Sequence, residues 1–204
     1  MLQGIGVQSW LAPRDREAPS GVAIDDQTLL RRLGHADPTA LEALYQRHAA
    51  ALFGYLLTIC SDRTVAEEVL QDTLLAVWRA AGSFRGRSSV RTWLFAIARR
   101  QVRDRNRRQR LPMVEDEQRL TAVDPAPGPE QIAVNQGELR DLVAGINELT
   151  VAHREVLALI FVHELSYHEA AQVLEVPVGT VKSRLNAARQ TLQQRRKRRK
   201  ETVS

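Results

Sequence analysis

The sequence predicts an all-α protein of two helical domains joined by a flexible linker. From Asp25 onward, apolar residues recur at the three- and four-residue spacing of helices, and no segment shows the alternation typical of strands. A Pro-rich segment, residues 124–129, interrupts this pattern and cannot sustain a helix. Because 204 residues suffice for two compact domains, we expect one lobe on each side of this break, each with its own core.

Composition marks five segments along the chain. Residues 1–24 contain Gly, Pro and Ser without periodicity, which predicts a disordered N-terminal tail. Residues 25–110 form the first helical lobe, residues 111–137 an acidic Pro-rich linker, and residues 138–196 the second helical lobe. Residues 197–204 are predicted as a basic tail, although an extension of the last helix would suit the same run.

The overall composition favours a polyanionic partner. The formal net charge is +5 and the pI about 10.0, a balance typical of proteins that bind nucleic acid or anionic membranes. No targeting segment and no run of about 18 apolar residues is present, so we expect a cytoplasmic protein without a membrane span. Cys60 is the only cysteine, and no nucleophile–base pair is evident. His163 and His168 are five residues apart, instead of the four that a metal-binding helix needs, and this spacing places them on different faces. We therefore expect no metal, no cofactor and no enzymatic activity.

Basic residues are concentrated in two clusters, one in each lobe. Residues 85–110 contain ten arginines and one aspartate, a net charge of +9. Residues 182–200 contain nine lysines and arginines and no acid, again a net charge of +9. Because a solvated helix face ordinarily mixes signs, two clusters of one sign predict two separate contacts with nucleic acid.

Capping residues locate three helices of the first lobe. Asp37 followed by Pro38 begins one helix, Asp62 is the N-cap of the next, and Ser88 or Ser89 begins a third. The apolar positions that we expect to face inward are Leu41, Leu44, Tyr45, Leu52, Tyr55, Leu56, Ile59, Val65, Val69, Thr73, Val77, Val90, Trp93, Leu94, Ile97 and Ala98.

The second lobe carries the pattern of a helix-turn-helix. Ser166 and Glu169 form a capping box before a short helix, and Pro177 separates that helix from another starting near Val178. The second helix presents outward donors suited to base edges and phosphates in a major groove. These outward residues are Thr180, Lys182, Ser183, Arg184, Asn186 and Arg189.

Several segments, in the expected order, resemble regions of the extracytoplasmic-function (ECF) group of sigma factors, the promoter-reading subunits of bacterial RNA polymerase. In the first lobe, AEEVLQDT and VWR within residues 66–79 are similar to region 2.2. Residues 83–88, SFRGRS, with residues 91–99, RTWLFAIAR, resemble regions 2.3 and 2.4. In the second lobe, residues 149–157 are similar to region 4.1, and residues 177–185, PVGTVKSRL, to the recognition-helix signature of region 4.2.

The resemblance implies two roles for the first lobe. Region 2.2 docks on the clamp helices of the polymerase β′ subunit, and the implied contacts are Glu67, Glu68, Gln71, Asp72 and Arg79. A solvated helix face is the alternative explanation for these residues. Regions 2.3 and 2.4 melt the −10 element and hold its non-template strand, which requires a pocket for an unpaired base and cations for phosphates. The implied −10 contacts are Phe84, Arg85, Gly86, Arg87, Ser88, Ile97, Arg99, Arg100, Arg103 and Arg107.

For the second lobe, the resemblance implies that the recognition helix enters the −35 major groove. Lys182, Ser183 and Arg184 are the implied central contacts, and Ala187 stands where a basic residue is common in the family. The implied partners are promoter DNA, core RNA polymerase through the β′ clamp helices and the β flap, and an anti-sigma factor. The linker would thread the polymerase channel, with a plain tether as the alternative.

A second hypothesis is a two-domain helix-turn-helix regulator that binds duplex DNA without polymerase. The second lobe by itself would support this hypothesis. The arginine-rich segment after Phe84 and the similarity of residues 66–79 to region 2.2 argue against it.

Overall fold

The computed structural model describes residues 24–60, 62–109 and 136–203, and these residues form helices and turns without any strand, as predicted. The first lobe consists of α1 (Asp26–Gly34), α2 (Pro38–Ile59), α3 (Arg63–Ala80), a 3-10 turn (Ala81–Ser83) and α4 (Val90–Gln109). The second lobe consists of α5 (Gln136–Asn147), α6 (Val151–Leu157), a π-helical turn (Ala158–Val162), α7 (Tyr167–Leu174) and α8 (Val178–Val203). Residues 1–23 of the predicted N-terminal tail and most of the predicted linker lie outside the described residues.

The predicted caps of the first lobe are confirmed. The carboxylates of Asp37 and Asp62 accept hydrogen bonds from backbone N–H groups in the first turns of α2 and α3, at 3.0 and 2.8 Å. Ser89, rather than Ser88, caps α4, because its hydroxyl accepts from the N–H of Thr92 at 3.1 Å. Each such cap stabilises its helix by about 1 kcal/mol, since it satisfies an N–H that has no partner within the helix.

The helix-turn-helix of the second lobe also forms as predicted. The Ser166 hydroxyl accepts from the N–H of Glu169 at 3.2 Å, and the Glu169 carboxylate accepts from the N–H of Ser166 at 3.0 Å. Glu175 caps the C-terminal end of α7, and its left-handed backbone (φ 53°) turns the chain toward α8. α8 continues to Val203, so the run predicted as a basic tail continues the last helix.

The two lobes pack against each other, which the sequence pattern does not predict. α4 lies against α7, and α2 lies against α6 and the π-helical turn. The packing changes which residues of α4 are buried. Thr92 and Phe95 are buried in this junction, whereas Trp93 and Ile97, predicted to face inward, are half-buried. The reason is that both lobes contact α4, and the spacing of apolar residues alone does not predict the contact with the second lobe.

Candidate nucleic-acid interface

A shallow recess lies between the turn after α3 and the first turn of α4. Its volume is about 260 Å³, and it is lined by Ser83, Phe84, Arg85, Arg87, Ser88 and Trp93. The rings of Phe84 and Trp93 meet edge to face, with 5.3 Å between their centroids. The recess therefore combines an aromatic wall with guanidinium and hydroxyl groups, as a site for an unpaired base requires.

Four of the five predicted loop residues line this recess, and the fifth shapes its backbone. Gly86 has φ 68°, a conformation that costs glycine little because it has no Cβ. Trp93 and Ser83 complete the lining, although neither is among the predicted −10 contacts. Trp93 lies on the apolar stripe of α4, so its sequence position predicts a core residue, whereas its side chain is half-buried and lines the recess.

α4 presents two neighbouring rows of side chains beyond the recess. Trp93, Ile97 and Arg100 follow one another at helical spacing, so this row begins at the recess wall. Arg99 and Arg103 belong to the adjacent row, which faces the second lobe. Four of the predicted −10 arginines (99, 100, 103 and 107) thus lie on α4 next to the recess. Arg99, Arg100 and Arg103 pair with glutamates of the second lobe.

Glu155 of α6 is the centre of the buried contact between the lobes. Its Oε1 accepts a hydrogen bond from the Tyr55 hydroxyl at 2.7 Å and another from Arg99 Nε at 2.8 Å. The Glu155 side chain is only 7% exposed. Burial, and then the neighbouring Glu155 carboxylate, raise the pKa of Tyr55 well above its ordinary value, so the phenol stays protonated and donates.

Two more glutamates of the second lobe contact α4. Glu169 accepts from the Thr92 hydroxyl at 3.0 Å while its other oxygen caps α7. Glu175 pairs with Arg103, and with Arg100 at 3.4 Å. The hydrogen bond from Arg103 is the main reason that the pKa of Glu175 is lowered, so the carboxylate is ionised and carries a full charge at the arginines.

Aromatic rings fill the remainder of the junction. The ring of His163 lies 4.7 Å from that of Phe95 and 6.0 Å from that of Tyr55, centroid to centroid, and these last two rings are 5.1 Å apart. Phe95 is 1% exposed and His163 is 4% exposed. The π-helical turn positions the histidine, because the backbone N–H of His163 donates to the Ala158 carbonyl at 2.9 Å.

Acidification is expected to weaken the packing of the two lobes. Burial, and then the Arg91 guanidinium, lower the pKa of His163 below 6.5, and the groups facing it are Tyr55, Phe95 and Arg91. The chain with its lobes packed together therefore binds fewer protons than a chain whose lobes have come apart and left His163 in water. The packing accordingly loses stability as the pH falls below about 6.5. Small-angle X-ray scattering between about pH 7.5 and pH 5.5 should show an increasing radius of gyration. A His163→Gln variant should show a smaller change, and a pH-independent wild-type radius would contradict the prediction.

The predicted polymerase contacts lie along the outer face of α3. Glu67 pairs with Arg63 within the helix at 3.0 Å, and Glu68 pairs with Arg105 of α4 at 2.6 Å. Gln71, Asp72 and Arg79 are exposed on the same helix. Leu75 lies among them and is 54% exposed, a residue that was not among the predicted contacts. A single exposed leucine is ordinary on a protein surface, and its place among the predicted contacts is what makes Leu75 a candidate for the same surface.

The predicted −35 residues lie on the outer face of α8. Val181, Leu185 and Ala188 are buried, so the residues between them point away from the lobe. The exposed members of the predicted set are Lys182, Ser183, Asn186 and Arg189, and its half-buried members are Thr180 and Arg184. Two of the cations lie over aromatic rings: the ammonium of Lys182 is 5.9 Å from the centroid of Tyr167, and the guanidinium of Arg189 is 5.3 Å from that of Phe161.

Known families and proteins match both lobes. The family described as Sigma-70 region 2 matches residues 44–111, and the family described as Sigma-70, region 4 matches residues 139–192. The ECF RNA polymerase sigma factor RpoE of Cereibacter sphaeroides is 34% identical over 161 residues, which cover 78% of this chain and 88% of that protein. This chain belongs to the ECF RNA polymerase sigma factors. The sigma factor is also similar to SigL of Mycobacterium tuberculosis, at 34% identity over 78% of this chain and 92% of that protein.

Two solved structures share the fold of this sigma factor. CnrH, solved in complex with the cytosolic domain of CnrY, aligns with a TM-score of 0.58 and 26% identity over 82% of this chain and 94% of that one. RpoE of Bartonella quintana, solved with the anti-sigma factor NepR, aligns with a TM-score of 0.56 and 28% identity over 76% and 96%. These relatives favour the sigma-factor hypothesis over a regulator that acts without polymerase. Within the described residues, no helix is both long and apolar enough to cross a membrane.

The residues that join the lobes were missed as functional candidates. Tyr55 was expected in the core, and Glu169 was expected only as a capping residue. A signal was present at Glu155, which lies four residues from Val151 and Leu159 on an otherwise apolar stripe of the helix. A charged residue on such a stripe requires a buried partner, and here the partners come from the other lobe.

Proposed function

We propose that this sigma factor captures an unpaired base of the −10 non-template strand in the recess beside Phe84, and that the arginines of α4 guide the phosphates of that strand. The recess supports this assignment because its Trp93 wall continues along α4 to Ile97 and Arg100. Arg99, Arg103 and Arg107 lie on the same helix, where cations can follow the backbone of a strand leaving the recess.

One experiment tests the function of the whole chain. The full-length protein is added to core RNA polymerase and genomic DNA, and the starts of the resulting transcripts are mapped. Starts that share upstream sequence elements at −10 and −35 are the expected result. If the protein does not bind core polymerase and directs no promoter-specific transcript, the proposal is wrong.

The outer face of α3 is proposed as the docking surface for core polymerase. Its composition supports this role, because exposed charges surround Leu75, as in the centre and rim of a protein interface. This face does not belong to the junction of the lobes, which is formed by α2 and α4. The surface is therefore accessible while the lobes are packed together.

Leu75→Ala is expected to weaken binding to core polymerase about tenfold. The variant removes part of an apolar side chain that becomes buried on docking, and a tenfold change corresponds to about 1.4 kcal/mol. Fluorescence anisotropy of the labelled chain titrated with core polymerase measures the dissociation constant. Ile24→Ala, which shortens an exposed apolar residue before α1, is the matched control and should leave the constant unchanged. Equal affinities for the wild type and Leu75→Ala would remove Leu75 from the docking surface.

The outer face of α8 is proposed to read the −35 element. Lys182→Ala is expected to reduce −35 duplex affinity by roughly 1–3 kcal/mol and to relax specificity at one base pair, because the lysine is assigned to a base edge. Arg189→Ala, which removes a cation assigned to a phosphate, should weaken binding equally for all sequences. Selection of holoenzyme-bound duplexes from a randomised −35 library distinguishes the two. An unchanged selected sequence with Lys182→Ala would contradict the assignment.

We propose that the domains divide the contacts with polymerase and promoter between them. Residues 25–110 contact polymerase and the −10 strand, residues 138–196 read the −35 duplex, and residues 111–137 link them. The partners are core RNA polymerase, through the β′ clamp helices and the β flap, promoter DNA and an anti-sigma factor. The anti-sigma partner is supported by the complex of the RpoE relative with NepR. Catalysis belongs to the polymerase, and the chain itself acts as a binding subunit.

A further inference from the structure

We infer that Gly34, the last residue of α1, is a positioning residue for the recess beside Phe84, because it packs directly against the turn that precedes Phe84. The inference rests on the proposed role of Phe84 in capturing an unpaired base. None of the residues predicted to contact polymerase or promoter lies in α1. The helix nevertheless contacts the 3-10 turn Ala81–Ser83 as well as α2, so it adjoins the segment that leads into the recess.

The contact between α1 and the turn is a close approach of two backbones. A Cβ atom added to Gly34 would lie 3.2 Å from the Cα of Gly82, 3.4 Å from the nitrogen of Gly82 and 3.8 Å from the carbonyl carbon of Ala81. A separation of 3.2 Å is tighter than nine in ten Cβ contacts in proteins. The absence of a side chain at Gly34 therefore permits this distance, since a methyl group there would have to displace backbone atoms.

α1 is held to α2 at both of its ends, so the turn is the partner that moves. At the start of α1, the Asp26 carboxylate pairs with Arg47 and with His48, whose Nε2 lies 2.7 Å from Oδ2 of the aspartate. Near its end, Arg32 Nε donates to the Asp37 carboxylate, which caps α2, at 2.9 Å. Three leucines of α1 also belong to the buried core, and these are Leu29, Leu30 and Leu33.

The turn connects Gly82 to the recess within two residues. Ser83 and Phe84 follow Gly82 directly, and both line the recess. The backbone N–H of Phe84 donates to the Ala81 carbonyl at 3.2 Å, and the Ser83 hydroxyl donates to the Ala80 carbonyl at 2.7 Å. Because these bonds join the turn to the recess, a displacement of Gly82 also displaces the Phe84 ring. A binding site tolerates a misplacement of only about 0.5 Å, so a small displacement matters.

An alanine at position 34 distinguishes this positioning role from a role in helix stability alone. Within a helix, alanine is more favourable than glycine by about 1 kcal/mol, so helix stability by itself gives no reason for promoter opening to slow. In the positioning role, the added methyl group shifts the turn by a few tenths of an ångström, and opening slows even if the fold is as stable as before.

The test compares Gly34→Ala with two matched controls that add the same methyl group elsewhere in the full-length chain. Gly82→Ala changes the same turn and Gly54→Ala changes α2, and in both positions an added Cβ meets no atom within 4 Å. Permanganate reactivity of unpaired thymines measures the rate of promoter opening by each holoenzyme. Exchange of the Phe84 amide hydrogen, measured by NMR on the free chain, reports on the turn, and thermal unfolding verifies that each variant is folded.

Gly34→Ala is expected to slow promoter opening about fivefold, because a misplacement of about 1 Å can cost about a hundredfold in rate and this shift is smaller. Exchange of the Phe84 amide hydrogen should become faster, while affinity for core polymerase should not change. Gly82→Ala and Gly54→Ala should both open promoters at the wild-type rate. Adding Gly34→Ala to Phe84→Ala should cause no further slowing, since the ring that the turn positions is already absent.

A wild-type opening rate for Gly34→Ala overturns the inference, and so does equal slowing by Gly34→Ala and Gly82→Ala. Slowing that persists undiminished in the Phe84→Ala background also overturns it, because the effect then does not depend on the ring. If Phe84→Ala itself opens promoters at the wild-type rate, the proposed function has failed. If Phe84→Ala slows opening and Gly34→Ala does not, only the positioning role has failed.

Discussion

A holoenzyme in which Arg100, Arg103 and Arg107 are all replaced by alanine is expected to lose most of its promoter opening. With roughly 1 kcal/mol for each lost charge-assisted contact, affinity for the melted strand falls about a hundredfold. The slope of log affinity against log salt becomes shallower by about 2, because each phosphate contact on a single strand contributes about 0.7. Open complexes retained on a filter across a salt series measure both quantities.

The matched control for this experiment is the triple lysine variant. Lysine keeps the charge of each position but lacks the fork of donors that binds a phosphate through two nitrogens, so the salt slope should be retained while some affinity is lost. Arg31→Ala, at an exposed position of α1, should leave both slope and affinity unchanged. A triple alanine variant with the wild-type slope would show that these arginines do not contact the strand.

Phe84→Ala is expected to slow promoter opening about 5- to 150-fold while leaving core binding intact. Stacking of one base on an aromatic side chain contributes about 1–3 kcal/mol, and that stabilisation is lost at the step when the base leaves the duplex. Phe84 borders the recess, whereas the proposed docking face lies on α3, so the variant should still assemble. Permanganate reactivity of unpaired thymines, followed over time, gives the opening rate.

Phe84→Tyr serves as the control that retains an aromatic ring. This variant should open promoters at close to the wild-type rate, because the ring still provides a stacking surface. Trp93→Ala is expected to slow opening as well, since Trp93 supports the Phe84 ring and forms another part of the wall. Equal opening rates for the wild type and Phe84→Ala would remove Phe84 from the strand-binding site.

Local structure was predictable because its causes are local. Asp37, Asp62 and Ser166 each satisfy backbone groups within a few residues, so their identity and position predict where helices begin. Pro177 separates α7 from α8 for an equally local reason, because the residue before a proline is disfavoured from the helical conformation. The outward face of α8 also follows from spacing, because burial of Val181, Leu185 and Ala188 determines where the residues between them point.

Other parts of the site were not predictable because they depend on residues far apart in the chain. Leu75 looks like any apolar residue of an amphipathic helix, and only the packing of α3 on α2 and α4 shows that none of the helices the structure describes covers it. Trp93 shares a stripe with core residues, yet the turn after α3 leaves it on the wall of the recess. The sequence around Leu75 and around Trp93 contains no pattern that distinguishes an exposed apolar residue from a buried one.

The sequence by itself determined the all-α class, the starts of the helices that Asp37, Asp62 and Ser166 cap, the two basic clusters and the family, because each depends on neighbouring residues or on motifs in order. The tertiary structure alone decided that the lobes pack together and that Glu155, Glu169 and Glu175 meet the first lobe. The spacing of apolar residues predicts that a helix face is buried but does not identify the element that buries it. Arg99 and Glu155 are 56 residues apart in the chain, so no local pattern relates them. A charge in one lobe can be matched to its partner in the other only when both positions in space are known.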